Sequence, residues 1–171
     1  MTLAEFNALP ADQAESLLMD CCGSGRWATG VAARRPYIEK DALYKSADSI
    51  WWNLKRADWL EAFSHHPQIG DKPLGGSESA RQWAAGEQAG ARTASDDVKS
   101  RLARANHAYF EKFGYIYIVC ATGKSAEAML AILNQRLQND PPSELSIAAE
   151  QQRLITHIRL EKVLAAEQKS A

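Results

Sequence analysis

The sequence has little cysteine. Cys21, Cys22 and Cys120 are the three in 171 residues, and so sparse and odd a set builds no disulfide framework. The adjacent Cys21-Cys22 pair reads as two buried thiols of a helix. There is no C-x-x-C and no H-E-x-x-H, and His65, His66, His107 and His157 show no metal-ligand spacing, so no metal site is expected. Neither sign of charge prevails: 20 basic residues face 21 acidic ones for a net charge of −1. Without a dense Lys/Arg tract, a nucleic-acid or membrane-surface partner is not expected. No apolar run approaches the ~20 residues of a membrane span. The start, Met-Thr-Leu-Ala-Glu-Phe, lacks the basic and apolar regions of a signal peptide. The end, Gln168-Lys169-Ser170-Ala171, carries no peroxisomal or retention tripeptide. The expectation is a cytoplasmic protein. Internal repeats and low-complexity segments are also missing.

What is there is ordinary for a globular chain: 46% hydrophobic and 24% charged residues, near the averages. The length fits one domain, 1–171, able to bury roughly 70% of its unfolded surface. Helix signals follow one another with short punctuation. Pro10 opens a run of helix formers from Ala11 to Cys22, and Gly23 stops it. Ser24 caps a segment to about Arg34. Ser46 opens another, with Ile50, Leu54 and Ala57 at helical spacing. Asp58-Trp59-Leu60-Glu61 resembles a capping box that starts a short helix towards His65. Ser95 to Phe113 is the clearest helix, with Val98, Leu102, Ala105, Tyr109 and Phe113 on one face and Gly114 as its stop. Ser125 to Gln138 buries Met129, Leu130, Ile132, Leu133 and Leu137, and Ser143 opens a last helix to about Glu167. The β-prone Tyr115 to Cys120 has no strand partner and reads as an extended, buried connector. The fold class is all-α: a single compact helical domain with an irregular, glycine-rich loop. That loop, residues 67–94, holds Pro67, Gly70, Pro73, Gly75, Gly76, Gly86 and Gly90, with a helical turn or two around Ser79 to Ala85.

Chemistry concentrates near this loop. His66 enters it from a helix end, and Pro67 fixes the backbone behind it. It is either a proton shuttle near neutral pH or a surface, helix-capping histidine. Glu87 and Gln88 lie between Gly86 and Gly90. A carboxylate beside a carboxamide suits an amide-bearing ligand that approaches closely over glycines, and a solvated loop glutamate is the alternative. Arg159 borders the apolar stripe of the last helix with Ile155 and Val163. It either snorkels to water or enters a cleft to bind a carboxylate. The connector reads as core by composition, yet its backbone can offer N–H and C=O groups.

Taken in order, His66-Pro67-x-Ile69-Gly70-Asp71, Glu87-Gln88-x-Gly90-Ala91, Asn106-x-x-Tyr109 with Lys112-Phe113-Gly114-Tyr115, and Ile158-Arg159-Leu160 resemble the OHCU (2-oxo-4-hydroxy-4-carboxy-5-ureidoimidazoline) decarboxylases of urate breakdown. Trp27, Arg35-Pro36-Tyr37 and Asp58-Trp59-Leu60-Glu61-Ala62-Phe63 extend the resemblance over nearly the whole chain. It implies an all-helical homodimer that converts its small-molecule substrate to (S)-allantoin with no metal or organic cofactor. By the same resemblance His66 and Glu87 are catalytic. Pro67, Gln88, the backbone of Tyr117, Ile118, Val119, Cys120 and Ala121, and Arg159 contact substrate. The family often has a substrate-touching serine three residues before the glutamate, where this chain has Ala84. The residue types suit the reaction, because loss of CO₂ leaves electrons that the substrate itself delocalises as an enolate. The protein has to exclude water, orient the ring and deliver one proton. Two other classes stay open at this stage. One is a metal-dependent helical hydrolase built on clustered histidines. The other is a non-catalytic interaction module that uses Trp51-Trp52 and the other aromatics.

Overall fold

A computed structural model describes residues 1–70, 77–92 and 94–165. Among these residues the chain forms helices and no strand, in the order α1 (Leu3–Ala8), α2 (Ala11–Cys22), α3 (Gly25–Ala33), α4 (Lys40–Trp52), α5 (Arg56–Ser64), α6 (Glu78–Glu87), α7 (Ala89–Arg92), α8 (Asp96–Phe113), α9 (Ala126–Arg136) and α10 (Pro141–Val163). None of them is long and apolar enough to cross a membrane. The chain divides into two compact units: Met1–Ala62 with Arg153–Ala171, and Phe63–Gln152.

In the first unit the caps explain the boundaries. Thr2 and Glu5 form a capping box, with Thr2 Oγ1 accepting the Glu5 N–H at 3.1 Å and Glu5 Oε2 accepting the Thr2 N–H at 2.8 Å. Pro10 precedes α2, and Gly23 ends it at φ +82°, its N–H donating to Met19 O. Ser24 caps α3 through the Trp27 N–H. Phe6, Leu18, Trp27, Val31, Leu43, Trp51 and Leu160 are buried here.

In the second unit Ser77, Ser95 and Ser125 cap α6, α8 and α9, each accepting the N–H three residues on. Leu102, Ala105, Tyr109 and Phe113 form the buried stripe of α8, as their spacing predicts, and Met129, Leu130 and Leu133 that of α9. Tyr115 to Ala121 runs without helix between α8 and α9 and is largely buried, in agreement with the expected connector.

Several expected boundaries move. The helix expected from Ser46 begins at Lys40. Leu43, Ala47 and Trp51, four apart, supply its buried stripe, and Ser46 sits mid-helix beside the Tyr37 hydroxyl at 3.2 Å. Leu54 and Ala57 do not continue that helix, which stops at Trp52 with Asn53 as its cap. Asp58 does not start α5; it reaches back from the first turn to accept the Lys55 N–H at 3.0 Å. The last helix begins at Pro141 rather than Ser143, capped by Asp140, whose carboxylate accepts the Ser143 N–H and hydroxyl at 3.1 and 2.7 Å. It ends at Val163; residues 166–171, and with them the expected reach to Glu167, lie outside the described residues. The segment 67–94 is more helical than its glycines suggest, because Ser77 starts a ten-residue helix through Gly86 to Glu87. Residues 71–76 and 93, which include Pro73, Gly75 and Gly76, lie outside the described residues.

Candidate active site

His66 and Pro67 follow the end of α5, where the His66 N–H closes on Phe63 O at 3.1 Å; both residues are half-buried. The chain then turns at Gly70, whose φ of +98° is open to glycine and strained for other residues. Gln88 stitches this turn to the end of α6. Its Oε1 accepts the Gly70 N–H at 3.0 Å, and its Nε2 donates to Pro67 O at 3.5 Å. From α8, the buried Asn106 donates through Nδ2 to Ile69 O at 3.1 Å. Pro67 and Gln88, 21 positions apart in sequence, are thereby bonded to each other, and they directly follow His66 and Glu87 in the chain. Gln88 keeps one amide hydrogen and one oxygen lone pair beyond these bonds.

Glu87 is not the solvated loop residue that its glycine neighbours suggest. It is the last residue of α6 and only 8% exposed. The carbonyl end of a helix disfavours a carboxylate, and burial disfavours any charge, so Glu87 occupies a place that stability alone would not choose. It lines a cavity of about 350 Å³ with Gly86, Ala89, Gly90, Gly123 and Lys124. Gly90 is required there, since a Cβ on it would lie 2.1 Å from Lys124 O. Ala84, one turn before Gln88, is buried, and its carbonyl accepts the Gln88 N–H at 3.1 Å.

The connector is anchored along one edge. Ile118 O accepts Arg136 Nη1 at 2.7 Å, the Cys120 N–H donates to Gln151 Oε1 at 3.0 Å, and Cys120 O accepts Lys124 Nζ at 2.8 Å. In an extended chain, residues two apart present their backbone groups to the same side. The opposite side belongs to Tyr117, Val119 and Ala121. Among the described residues, neither the N–H nor the C=O of Tyr117 and Val119 has a partner; for Ala121, only the carbonyl is taken, by Lys124 N–H at 2.9 Å. Both Tyr117 and Val119 are buried. Buried backbone groups are nearly always paired, so an open edge here marks a place for a ligand or ordered water.

Arg159 belongs to the first unit. It is 5% exposed and donates through Nη1 to Asp20 O at 3.1 Å, which removes the snorkelling alternative. In the same unit burial pushes the Cys22 thiol up to about 12, against the pull of its Thr156 hydrogen bond and the Arg159 charge. That thiol is inert at neutral pH. Among the described residues no three His, Cys, Asp or Glu side chains gather so that they could hold a metal ion.

Sequence reading missed the group that holds the connector. Arg136 and Glu144 are buried together, with Arg136 Nε and Nη2 at 2.7 and 2.5 Å from Glu144 Oε1. The Tyr109 hydroxyl donates to the same oxygen, and Asn139 Nδ2 donates to Oε2 at 2.8 Å. The guanidinium also lies 4.9 Å over the Tyr117 ring. Burial pulls the Arg136 guanidinium down, but its hydrogen bond to Glu144 and the nearby Tyr109 and Tyr117 more than offset this and raise it above its ordinary value. The available signal was an arginine three residues after Leu133, on the stripe that continues Met129 and Leu133.

Comparison with known proteins gives this geometry its relatives. The chain is 39% identical over 85% of its length to the Uric acid degradation bifunctional protein TTL of Arabidopsis thaliana, of which it covers 45%. It is 32% identical over 84% of its length to the 2-oxo-4-hydroxy-4-carboxy-5-ureidoimidazoline decarboxylase of Mus musculus, covering 82% of that protein. The chain spans less than half the length of the bifunctional relatives it matches. A crystal structure of OHCU decarboxylase in the presence of (S)-allantoin superposes with a TM-score of 0.77 at 36% identity, over 88% of this chain and 98% of that one. The OHCU decarboxylase family model matches residues 7–161 and so takes in the His66 turn, Glu87, the connector and Arg159. An all-helical chain matched over that span, with a relative of nearly its own length at 32% identity, belongs to the OHCU decarboxylase family.

Proposed function

We propose that the protein decarboxylates 2-oxo-4-hydroxy-4-carboxy-5-ureidoimidazoline to (S)-allantoin in urate breakdown, and that residues 1–171 work as one domain of this family. The observation that carries the reading is the Gln88 stitch, which bonds the residue after His66 to the residue after the buried Glu87. The open edge of the connector supports it. Breaking the ring-carbon bond to the carboxylate releases CO₂, and the electron pair passes into the ring as an enolate. The enolate collapses to the ring carbonyl when the adjacent carbon takes a proton. The substrate is its own electron sink, so the protein's work is orientation, water exclusion and delivery of that proton to one face. His66 steers the proton. Glu87 holds the hydroxyl or ureido group and, by repulsion from the substrate carboxylate, favours loss of CO₂. Pro67, Gln88 and the backbone of Tyr117 to Ala121 position the ring, and Arg159 supplies a bidentate cation. The working form in this reading is a cytoplasmic homodimer.

The test is circular dichroism of freshly generated substrate at a wavelength where allantoin absorbs, because catalysed turnover yields one enantiomer. Wild-type protein is expected to produce (S)-allantoin, with activity kept after treatment with a strong chelator. His66→Ala and Glu87→Gln each lower turnover by ~10²-fold or more with unchanged helicity. Racemic product from the wild type, or wild-type rates in both variants, would overturn the reading.

A further inference from the structure

We propose that Arg136 is a positioning residue for the decarboxylation: its bond to the Ile118 carbonyl fixes the register of the connector and so presents the Tyr117–Val119–Ala121 edge to the substrate. This rests on the reading above, in which that backbone contacts the substrate.

Among the described residues the connector has no sheet partner to set its register. A strand in a sheet is pinned by a ladder of bonds; this segment, among the described residues, has three side chains instead, all on one edge. Gln151 and Lys124 hold Cys120, and Arg136 alone holds Ile118. Gln151 and Lys124 are half-buried and end in flexible stems. Arg136 is buried, and its planar fork is fixed on Glu144 through Nε and Nη2, which leaves Nη1 aimed at one carbonyl. Glu144 is held in turn by Tyr109 and Asn139, and the guanidinium face rests over the Tyr117 ring. One rigid group thus touches the connector at Tyr117 by its face and at Ile118 by its edge. A slip of one residue would exchange the two edges and turn the anchored groups towards the ligand. A buried ion pair adds little net stability over an apolar pair of the same volume, so its value here is the single geometry it imposes.

The experiment compares Arg136→Lys with Tyr109→Phe and the wild type in steady-state kinetics, each first shown to unfold cooperatively. An ammonium keeps the charge but cannot reach Glu144 and the Ile118 carbonyl together. Arg136→Lys is expected to raise KM about ten-fold or more with kcat within about three-fold, the mark of lost positioning in the bound state. Tyr109→Phe removes a bond to Glu144 and a 3.4 Å bond from Arg136 Nη2, but keeps both Arg136–Glu144 bonds and the Ile118 contact, so it is expected to lower Tm and to move KM far less than Arg136→Lys does. Unchanged KM in Arg136→Lys, or equal KM shifts in both variants, overturns the proposal. If Arg136→Lys does not fold, the isosteric Glu144→Gln decides, because it loosens the fork while the Ile118 bond remains possible. Its KM is expected to rise about three-fold, and an unchanged KM overturns the proposal. Wild-type turnover is measured first. Its absence removes the decarboxylase reading itself, whereas an active wild type with an unmoved KM in the variants removes only the role of Arg136.

Discussion

The two units bury polar groups in different ways. In the first, large side chains carry their polar atoms to backbone carbonyls close by. Trp27 Nε1 donates to Ala47 O and Trp59 Nε1 to Trp51 O, both at 3.0 Å; the Tyr37 hydroxyl donates to Val31 O at 2.8 Å. Arg35 gathers Phe6 O and Leu9 O at 2.8 Å and Ala32 O at 3.0 Å. In the second unit a full ion pair is buried, a carboxylate ends a helix, and a buried backbone edge stays open. The same rule, that buried polar groups find partners, is met internally in the first unit. In the second it is met by a charged scaffold on one side of the connector, while the other side stays open among the described residues.

The comparison is broken most strongly at Arg136. Arg136→Met leaves Glu144 buried without its cation, at a cost of about 3–5 kcal/mol, or roughly 6–20 °C in Tm for a chain of this size. Adding Glu144→Leu to Arg136→Met is expected to restore most of the lost Tm. Thermal unfolding of the single and double variants measures it. A single variant as stable as wild type would mean that the pair is not the scaffold of this unit.

A pair of glycines sharpens it next, since both lie near Glu87 and should respond with opposite signs. Gly90→Ala would set a Cβ 2.1 Å from Lys124 O, where backbone must move. A loss of about 1–3 kcal/mol is expected. Gly86 lies inside α6 with nothing within 4 Å of its would-be Cβ. Gly86→Ala therefore gains roughly 0.5–1 kcal/mol from helix propensity alone. Denaturant midpoints of the two variants decide, and a shared sign would contradict the packing of α7 against the start of α9.

Alkaline pH reads the first unit through Cys22. Its thiol is raised from 9.0 to about 12, so the folded state keeps a proton that the unfolded state loses. Its contribution is fully present below pH 9 and is lost as pH rises through about 12. The slope approaches about 1.4 kcal/mol per pH unit within that window. The Tyr109 and Tyr117 hydroxyls of the second unit, raised chiefly by burial, act in the same direction only above 10.0. Between pH 9 and 10, Cys22→Ala should therefore flatten the fall of stability. An unchanged slope there would show that the thiol is reached by water.

Much of the fold was legible because its signals are local. Serine and proline caps, left-handed glycines and four-residue spacing place α2, α3, α8 and α9 within a residue or two, whereas α1, with its Thr2–Glu5 capping box, went unread. Expectation failed where the competing signal was glycine: Gly86 and Gly90 argued for loop, but Ser77 and the Ala84–Gln88 bond carry α6 and α7 through them. The candidate site was half legible. His66, Glu87 and the connector could be named as candidates, but not that Glu87 is buried or that Gln88 is engaged with Pro67 and Gly70. Those facts depend on bonds over 18 to 21 positions, which periodicity does not encode. Arg136 and Glu144 were missed because a charge on an apolar stripe reads as a rim residue until its partner, eight positions on and in another helix, is seen.

The smallest expected effect belongs to Ala84, the one position where the chain departs from the residue its family resemblance implies. Ala84 is buried on α6, and its carbonyl already caps Gln88. A serine there adds one hydroxyl that has two fates. It can meet the substrate, worth roughly 0.5–1.5 kcal/mol or about a two- to twelve-fold change in KM. Or it can bond back to the carbonyl one helical turn before it, which removes it from the site and weakens the helix slightly. Alanine also favours the helix over serine by a few tenths of a kcal/mol, roughly, so Ala84→Ser should not raise Tm. The expected outcome is an active wild type, and an Ala84→Ser variant whose KM differs by no more than about ten-fold with kcat nearly constant. Steady-state kinetics with melting curves on the two proteins separates the fates: lower KM at equal Tm places the hydroxyl on the substrate, and equal KM at lower Tm places it on the helix. An inactive wild type rescued by orders of magnitude would mean that the buried Glu87 and the open connector edge are not sufficient without that one hydroxyl.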